Sequence, residues 1–284
     1  MVAESNFVPK IPSETSQAAH GLYNLQYIYL RIGDQLEDLI SRIDVRKLDP
    51  GVHIDDMTCF RLALATAFQF AESLPDEMAA EATLRRMDWK YALYLPVHHP
   101  GISSQDLCEF RQSLLSSPAS QREFGNLLSV LDKLGLFSYA PQPEYALALL
   151  CQLSRLYQLR QAMKEALTLL VVEAPEWLLA NASPHWYGRY QSEEANQSNF
   201  ISNDTLHKEI NKIGKDIYHL VTAINRHGSQ ALADLTEIQR LNQLLASSFE
   251  INGNLVKWLT PSCANCVRRM SGVNRNYRSR NYDL

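Results

Sequence analysis

The chain has 284 residues, 46% of them hydrophobic and 20% charged, with a formal net charge of −4. That length can bury a real core in one large or two modest domains, and the composition is that of a globular protein. A net negative charge argues against a protein that coats DNA or membrane indiscriminately. The charge is uneven, however. Residues 1–140 carry 12 Lys/Arg against 18 Asp/Glu, whereas the last 17 residues carry five Arg against one Asp. A local basic face therefore stays open.

Apolar residues recur at three-and-four spacing along most of the chain, which predicts helices over 21–43, 55–74, 76–87, 121–137 and 144–174. The same pattern returns over 203–224 and 232–249. Pro75, Pro96, Pro100, Gly101, Pro118 and the APQP at 140–143 punctuate these runs, as helix breakers should. The most strand-like stretch, LTLLVVE (167–173), is the tail of a helical pattern, and no series of alternating strands appears. The predicted fold class is all-α. Three regions follow: a helical unit over 1–140, a second helical region over 141–258, and a basic tail over 259–284 with too few apolar residues to fold alone.

Five cysteines and no secretory leader pattern point to a reducing cytoplasm. Cys59, Cys108 and Cys151 sit in apolar helical pattern and read as small core residues. Cys263 and Cys266 form a lone CxxC, two ligands short of a structural zinc site. His98 and His99 lie in a turn with no further ligand at suitable spacing, so no metal and no cofactor is expected. No apolar run approaches the roughly 18 residues needed to span a bilayer. Nor is there a nucleophile, phosphate-loop or dinucleotide signature.

The stretch RRMDWKYALYLPVHHPGISSQDLCEFRQSLL (85–115) reads as helix, turn, helix. Trp89, Tyr91 and Leu93 are expected to point inward, Pro100–Gly101 to make the bend, and Ser103 or Ser104 to cap the second helix. Ser104, Gln105, Arg111 and Gln112 lie in that second helix, and a short helix offering such side chains suits the major groove. Arg85, Arg86 and Lys90 on the preceding element would hold phosphates. The alternative is a helical hairpin with solvated polar residues. In the tail, Arg268, Arg269, Arg275, Arg278 and Arg280 alternate with Asn, Ser and Tyr, a composition suited to a flexible arm on a duplex or to an inert disordered end. Trp186 and Tyr187 in SPHWYGRY read as the core of a short helix rather than as a base-stacking platform.

The segment FRLALATAFQFAESLPDEMAAEATLRRMDWKYALYLPVHHPGISSQDLCEFRQSLL closely resembles the N-terminal domain of bacterial insertion-sequence transposases of the InsH type. MDWKYAL followed by EFRQSLL is the specific part, and similarity extends over most of residues 10–258. The resemblance implies a DNA-binding helical domain that recognises element ends and can dimerise. In that family an RNase H-like domain follows, whose three carboxylates hold two divalent metals. Its first acid would fall within PQPEYAL (141–147), where this chain has Gln142, a neutral residue between Pro141 and Pro143. Glu144, two residues on, is not equivalent. The other two acids have no counterpart. The expectation is therefore a transposase-like, cytoplasmic or nucleoid-associated protein that binds double-stranded DNA but does not cut it. It would be a domesticated DNA-binding protein, a regulator acting with a full-length transposase, or a decayed reading frame. A helical scaffold for protein partners is the rival expectation.

Overall fold

The helices expected from periodicity form, with boundaries set by the residues that interrupt the pattern. The structure, a computed structural model, describes residues 10–48, 54–139, 141–190, 203–253 and 255–259. Among these the element order is α1 (Ser13–Leu22), α2 (Ile28–Asp34), α3 (Leu36–Arg42), α4 (Val45–Leu48), α5 (Asp56–Ala71), α6 (Asp76–Arg85), α7 (Met87–Ala92) and α8 (Ser104–Ser116). There follow α9 (Pro118–Lys133), α10 (Pro143–Glu173), α11 (Pro175–Asn181), α12 (Pro184–Tyr190), α13 (Asn203–His227), α14 (Gln230–Ala233) and α15 (Thr236–Ser248). A two-stranded hairpin, β1 (Phe249–Asn252) and β2 (Leu255–Trp258), closes the described chain. The fold is all-α with that one small addition.

Local chemistry places the helix starts. Asp55 caps α5 by accepting the Thr58 N–H at 2.9 Å. Ser117 caps α9 through the Ser120 N–H, with Pro118 in the first helical position, where a missing N–H costs nothing. Pro143 begins α10 in the same way. The segment that would carry the family's first catalytic acid is thus a helix start, with Gln142 as its N-cap residue. The predicted single run over 21–43 is instead three helices. Tyr23–Tyr27 and Gln35 interrupt it, Gln35 serving both as the end of α2 and the start of α3.

α5 lies at the centre of the N-terminal helices, with Cys59, Phe60 and every residue from Leu62 to Phe70 buried. α10, 31 residues and about 46 Å long at 1.5 Å per residue, packs on α5, α6, α8 and α9 and also on α13 and α15. One continuous cluster of buried apolar side chains consequently runs from Tyr29 to Trp258. The expected boundary near residue 140 falls just before this helix.

The hairpin was not anticipated from periodicity. Phe249 pairs with Trp258 and Asn252 with Leu255, and Gly253 turns the chain at φ 62°. The Gly253–Asn254 dipeptide between FEIN and LVKW is a hairpin signal, legible once the helical template is set aside. Phe249 lies against Gly214 of α13, where an added Cβ would run into the phenyl ring.

Candidate nucleic-acid interface

The 85–115 stretch holds the last residue of α6, then α7, the connection over 93–103 and most of α8, and Trp89, Tyr91 and Leu93 are all buried. Its turn is held from several sides. Arg61 on α5 donates from Nε to the Leu93 carbonyl and from Nη2 to that of Tyr94, both at 2.9 Å. Thr83 Oγ1 accepts the Ile102 N–H at 2.7 Å. Gly101 sits at φ 83°, a conformation that favours glycine, and an added Cβ would come within 3.0–3.1 Å of Thr83 and Leu84. Ser103, the first of the two serines considered, is the N-cap of α8. Asp106 N–H donates to its Oγ at 3.0 Å, and Asp106 in turn accepts the Ser103 N–H, a reciprocal capping box.

The cations of this unit are placed differently from the expectation. Arg111 is 2% exposed and donates from both Nη atoms to Asp76 at 2.7 and 2.6 Å. Asp76, the first residue of α6, also accepts Gln69 Nε2 at 2.7 Å, and its own N–H donates to Ser154 Oγ on α10 at 3.1 Å. One carboxylate-centred knot therefore joins α5, α6, α8 and α10. Burial works to lower the Arg111 pKa, but the hydrogen bonds and charge of Asp76 prevail and hold it above its ordinary value. A guanidinium so enclosed cannot reach a base edge. Arg111 is an internal ion-pair partner.

Lys90 is 3% exposed and donates from Nζ to the carbonyls of Val97 and, at 3.2 Å, His99. Desolvation lowers its pKa. It fastens the turn from beneath and is not at the surface where a phosphate would lie. Arg86, at the α6–α7 junction, bonds Glu72 and holds Asp88 through Nη2 at 2.7 Å, while its guanidinium lies 5.3 Å from the Trp89 ring centroid. Tyr29 hydroxyl and Trp89 Nε1 also donate to Glu72, and Tyr27 hydroxyl donates to Asp88 at 3.1 Å. Arg86 is thereby committed to a network linking α2, α5 and α7. Arg85 alone of the three expected phosphate holders is well exposed, beside Glu81 of its own helix at 3.1 Å.

Water reaches Ser104, Gln105 and Gln112 on α8 together with the acids Asp106 and Glu109. Gln105 is exposed and donates to Glu109 at 2.8 Å. Ser104 and Gln112 are half-buried, and Gln112 donates to Cys108 Sγ at 3.2 Å. Of the two turn histidines, His98 is exposed, whereas His99 Nδ1 accepts the Gly101 N–H at 3.1 Å. Burial, together with the Arg61 and Lys90 charges, pushes the His99 pKa down to about 4.

Elsewhere Trp186 is buried, but its neighbour Tyr187 is 76% exposed; Tyr190 is the aromatic residue that completes the packing of α12. Gln142 lines a shallow groove of about 570 Å³ with Lys47, Arg122 and Glu144. Among the described residues no cluster of three His, Cys, Asp or Glu side chains is arranged to hold a metal, and no helix is long and apolar enough to cross a membrane. Arg268, Arg269, Arg275, Arg278 and Arg280, with Cys263 and Cys266, lie outside the described residues. Sequence reasoning passed over an exposed basic row among the described residues. Lys208, Lys212, Lys215, His219 and Arg226 all reach solvent along α13, and their helical spacing was visible in the sequence. Comparison with protein-family models, with curated proteins and with solved structures finds no match for this chain.

Proposed function

We propose that this chain binds duplex DNA without cutting or joining it, as a transposase-derived recognition protein, with α8 as the reading helix of a helix-turn-helix-like unit. One observation carries the reading. The segment that resembles the transposase N-terminal domain braces α8 against α5, α6, α9 and α10, so that Ser104, Gln105 and Gln112 stay toward solvent while Leu107, Phe110, Arg111 and Leu114 fix its other face. Amide and hydroxyl side chains read base edges in the major groove, with Gln donating to and accepting from adenine. Bracing of this kind suits recognition, because a reading helix must hold its side chains in register with the bases.

The test is selection of bound sequences from random duplex DNA, with terminal repeats of insertion elements as competitors, in parallel with a cleavage assay in Mg²⁺ and Mn²⁺. Enrichment of a motif without cleavage is the expected result. Gln105→Ala or Gln112→Ala should relax preference at one position at a cost of about 1–3 kcal/mol. Metal-dependent nicking abolished by mutation of a single carboxylate would refute the non-catalytic part.

A second reading, a helical scaffold that binds a protein partner, is favoured by the end of α10 and the helices after it. There Val171, Val172, Leu179 and Tyr187 are exposed together with Glu173 and Glu176. Absence of any enriched motif, combined with specific recovery of a protein that Leu179→Asp releases, would favour it.

A further inference from the structure

We infer that the outer face of α13 is a phosphate-tracking surface for duplex DNA. α13 is sharply two-faced. Leu206, Ile210, Ile213, Ile217, Leu220, Val221 and Ile224 are buried against α10, α15 and β2. Opposite them, Lys208, Lys212, Lys215, His219 and Arg226 follow one another at intervals of four, three, four and seven residues. At about 100° per residue these five positions fall within an arc of roughly 60°, and they extend about 27 Å along the axis.

Of the three acids of α13, Asp204 lies outside the residues whose side chains are described, and Glu209 and Asp216 do not cancel this row. Glu209 sits to one side, 3.3 Å from Arg160 of α10 and 3.8 Å from Lys212. Asp216 is engaged by Arg189 of α12 and accepts the Tyr190 hydroxyl at 2.6 Å. Two arginines from neighbouring helices thus neutralise the two acids, and the lysines face outward. Among the described residues, Lys208, Lys215 and Arg226 have no acidic partner within ion-pair distance.

A straight row of cations with axial steps of about 4.5–6 Å between its first four members suits a strand of regularly spaced phosphates. A membrane surface fits less well, because the apolar face that would enter it is already occupied by the core. The inference also supplies what the 85–115 unit lacks, since Arg86 and Lys90 are committed internally and α8 offers no exposed cation. It rests on the DNA-binding reading but not on α8.

The experiment is fluorescence anisotropy of the full chain on a labelled random-sequence duplex between 50 and 200 mM salt. It compares the native protein with Lys208→Gln/Lys212→Gln/Lys215→Gln, with the corresponding Lys→Arg triple, and with Gln105→Ala/Gln112→Ala. The Gln triple should keep the native melting temperature, bind more weakly, and show a log–log salt slope smaller by about 2.7, or 0.9 per lost phosphate contact. The Arg triple should retain the native slope. An unchanged slope in the Gln triple overturns the inference while leaving α8 recognition standing, provided the Gln105/Gln112 variant still alters sequence preference. A reduced slope with no sequence preference in the native protein supports the α13 surface and rejects end recognition. No duplex binding by the native protein at 50 mM removes both. Stronger α13-dependent binding to single-stranded RNA than to duplex overturns the assignment to DNA.

Discussion

Arg111→Ala separates an internal role from a base-reading one. Removing the guanidinium leaves Asp76, with its side chain 3% exposed, facing Gln69 as its remaining side-chain donor. It also empties one of the largest fully buried side-chain volumes in the chain. Taking one partner from a buried ion pair costs about 3–5 kcal/mol, because the other charge stays desolvated and uncompensated. Domains of this kind hold only about 5–15 kcal/mol in total. At roughly 2–4 °C per kcal/mol for chains of comparable size, the melting temperature should fall by about 6–20 °C. Calorimetry or circular dichroism measures this directly. The companion Asp76→Leu/Arg111→Met removes both charges and should recover most of the loss, since an apolar replacement of a buried pair is often neutral or better. A shift below about 2 °C for Arg111→Ala, accompanied by altered preference at one base position, would refute the internal assignment.

Three further expectations test the same framework. Lys90→Met should lower stability by about 1–3 kcal/mol, because the Val97 and His99 carbonyls lose a buried donor; faster amide exchange across residues 96–102 would report it. His99 should make the fold acid-sensitive: its folded pKa of about 4 lies below the ordinary 6.5, so the unfolded state binds the extra proton first. Stability is then full above about 6.5 and declines as the pH falls toward 4, a decline that His99→Gln should flatten in urea titrations. Gly214→Ala should cost about 1–3 kcal/mol through overpacking against Phe249, seen as a lower urea midpoint with unchanged helical content.

The helices were legible because their signal is local. Asp55, Ser117, Pro118 and Pro143 mark starts within one turn of the residues they serve. The fate of a cation is not local. Arg111 and Asp76 lie 35 positions apart, and nothing in EFRQ distinguishes an arginine aimed at DNA from one aimed at the first residue of another helix. Lys90 illustrates the same limit at short range, since its direction depends on a turn that folds back beneath it. The α13 row was legible in principle. Its apolar spacing marked a helix, and the complementary spacing of its lysines carried the chemistry.

α10 has a consequence for how the chain acquires its structure during synthesis. The N-terminal helices need Ala146, Leu147, Leu150 and Leu153 of α10 to complete their packing, and Ser154 to satisfy Asp76. None of these residues exists while the ribosome is translating the first 140. The earlier helices must therefore wait, with part of α5, α6, α8 and α9 uncovered, until α10 has left the exit tunnel. When it does, the same helix lays out the platform on which α13 and α15 later settle. A nascent chain stalled at residue 140 should be sensitive to protease, whereas one stalled well beyond residue 173 should protect its N-terminal half.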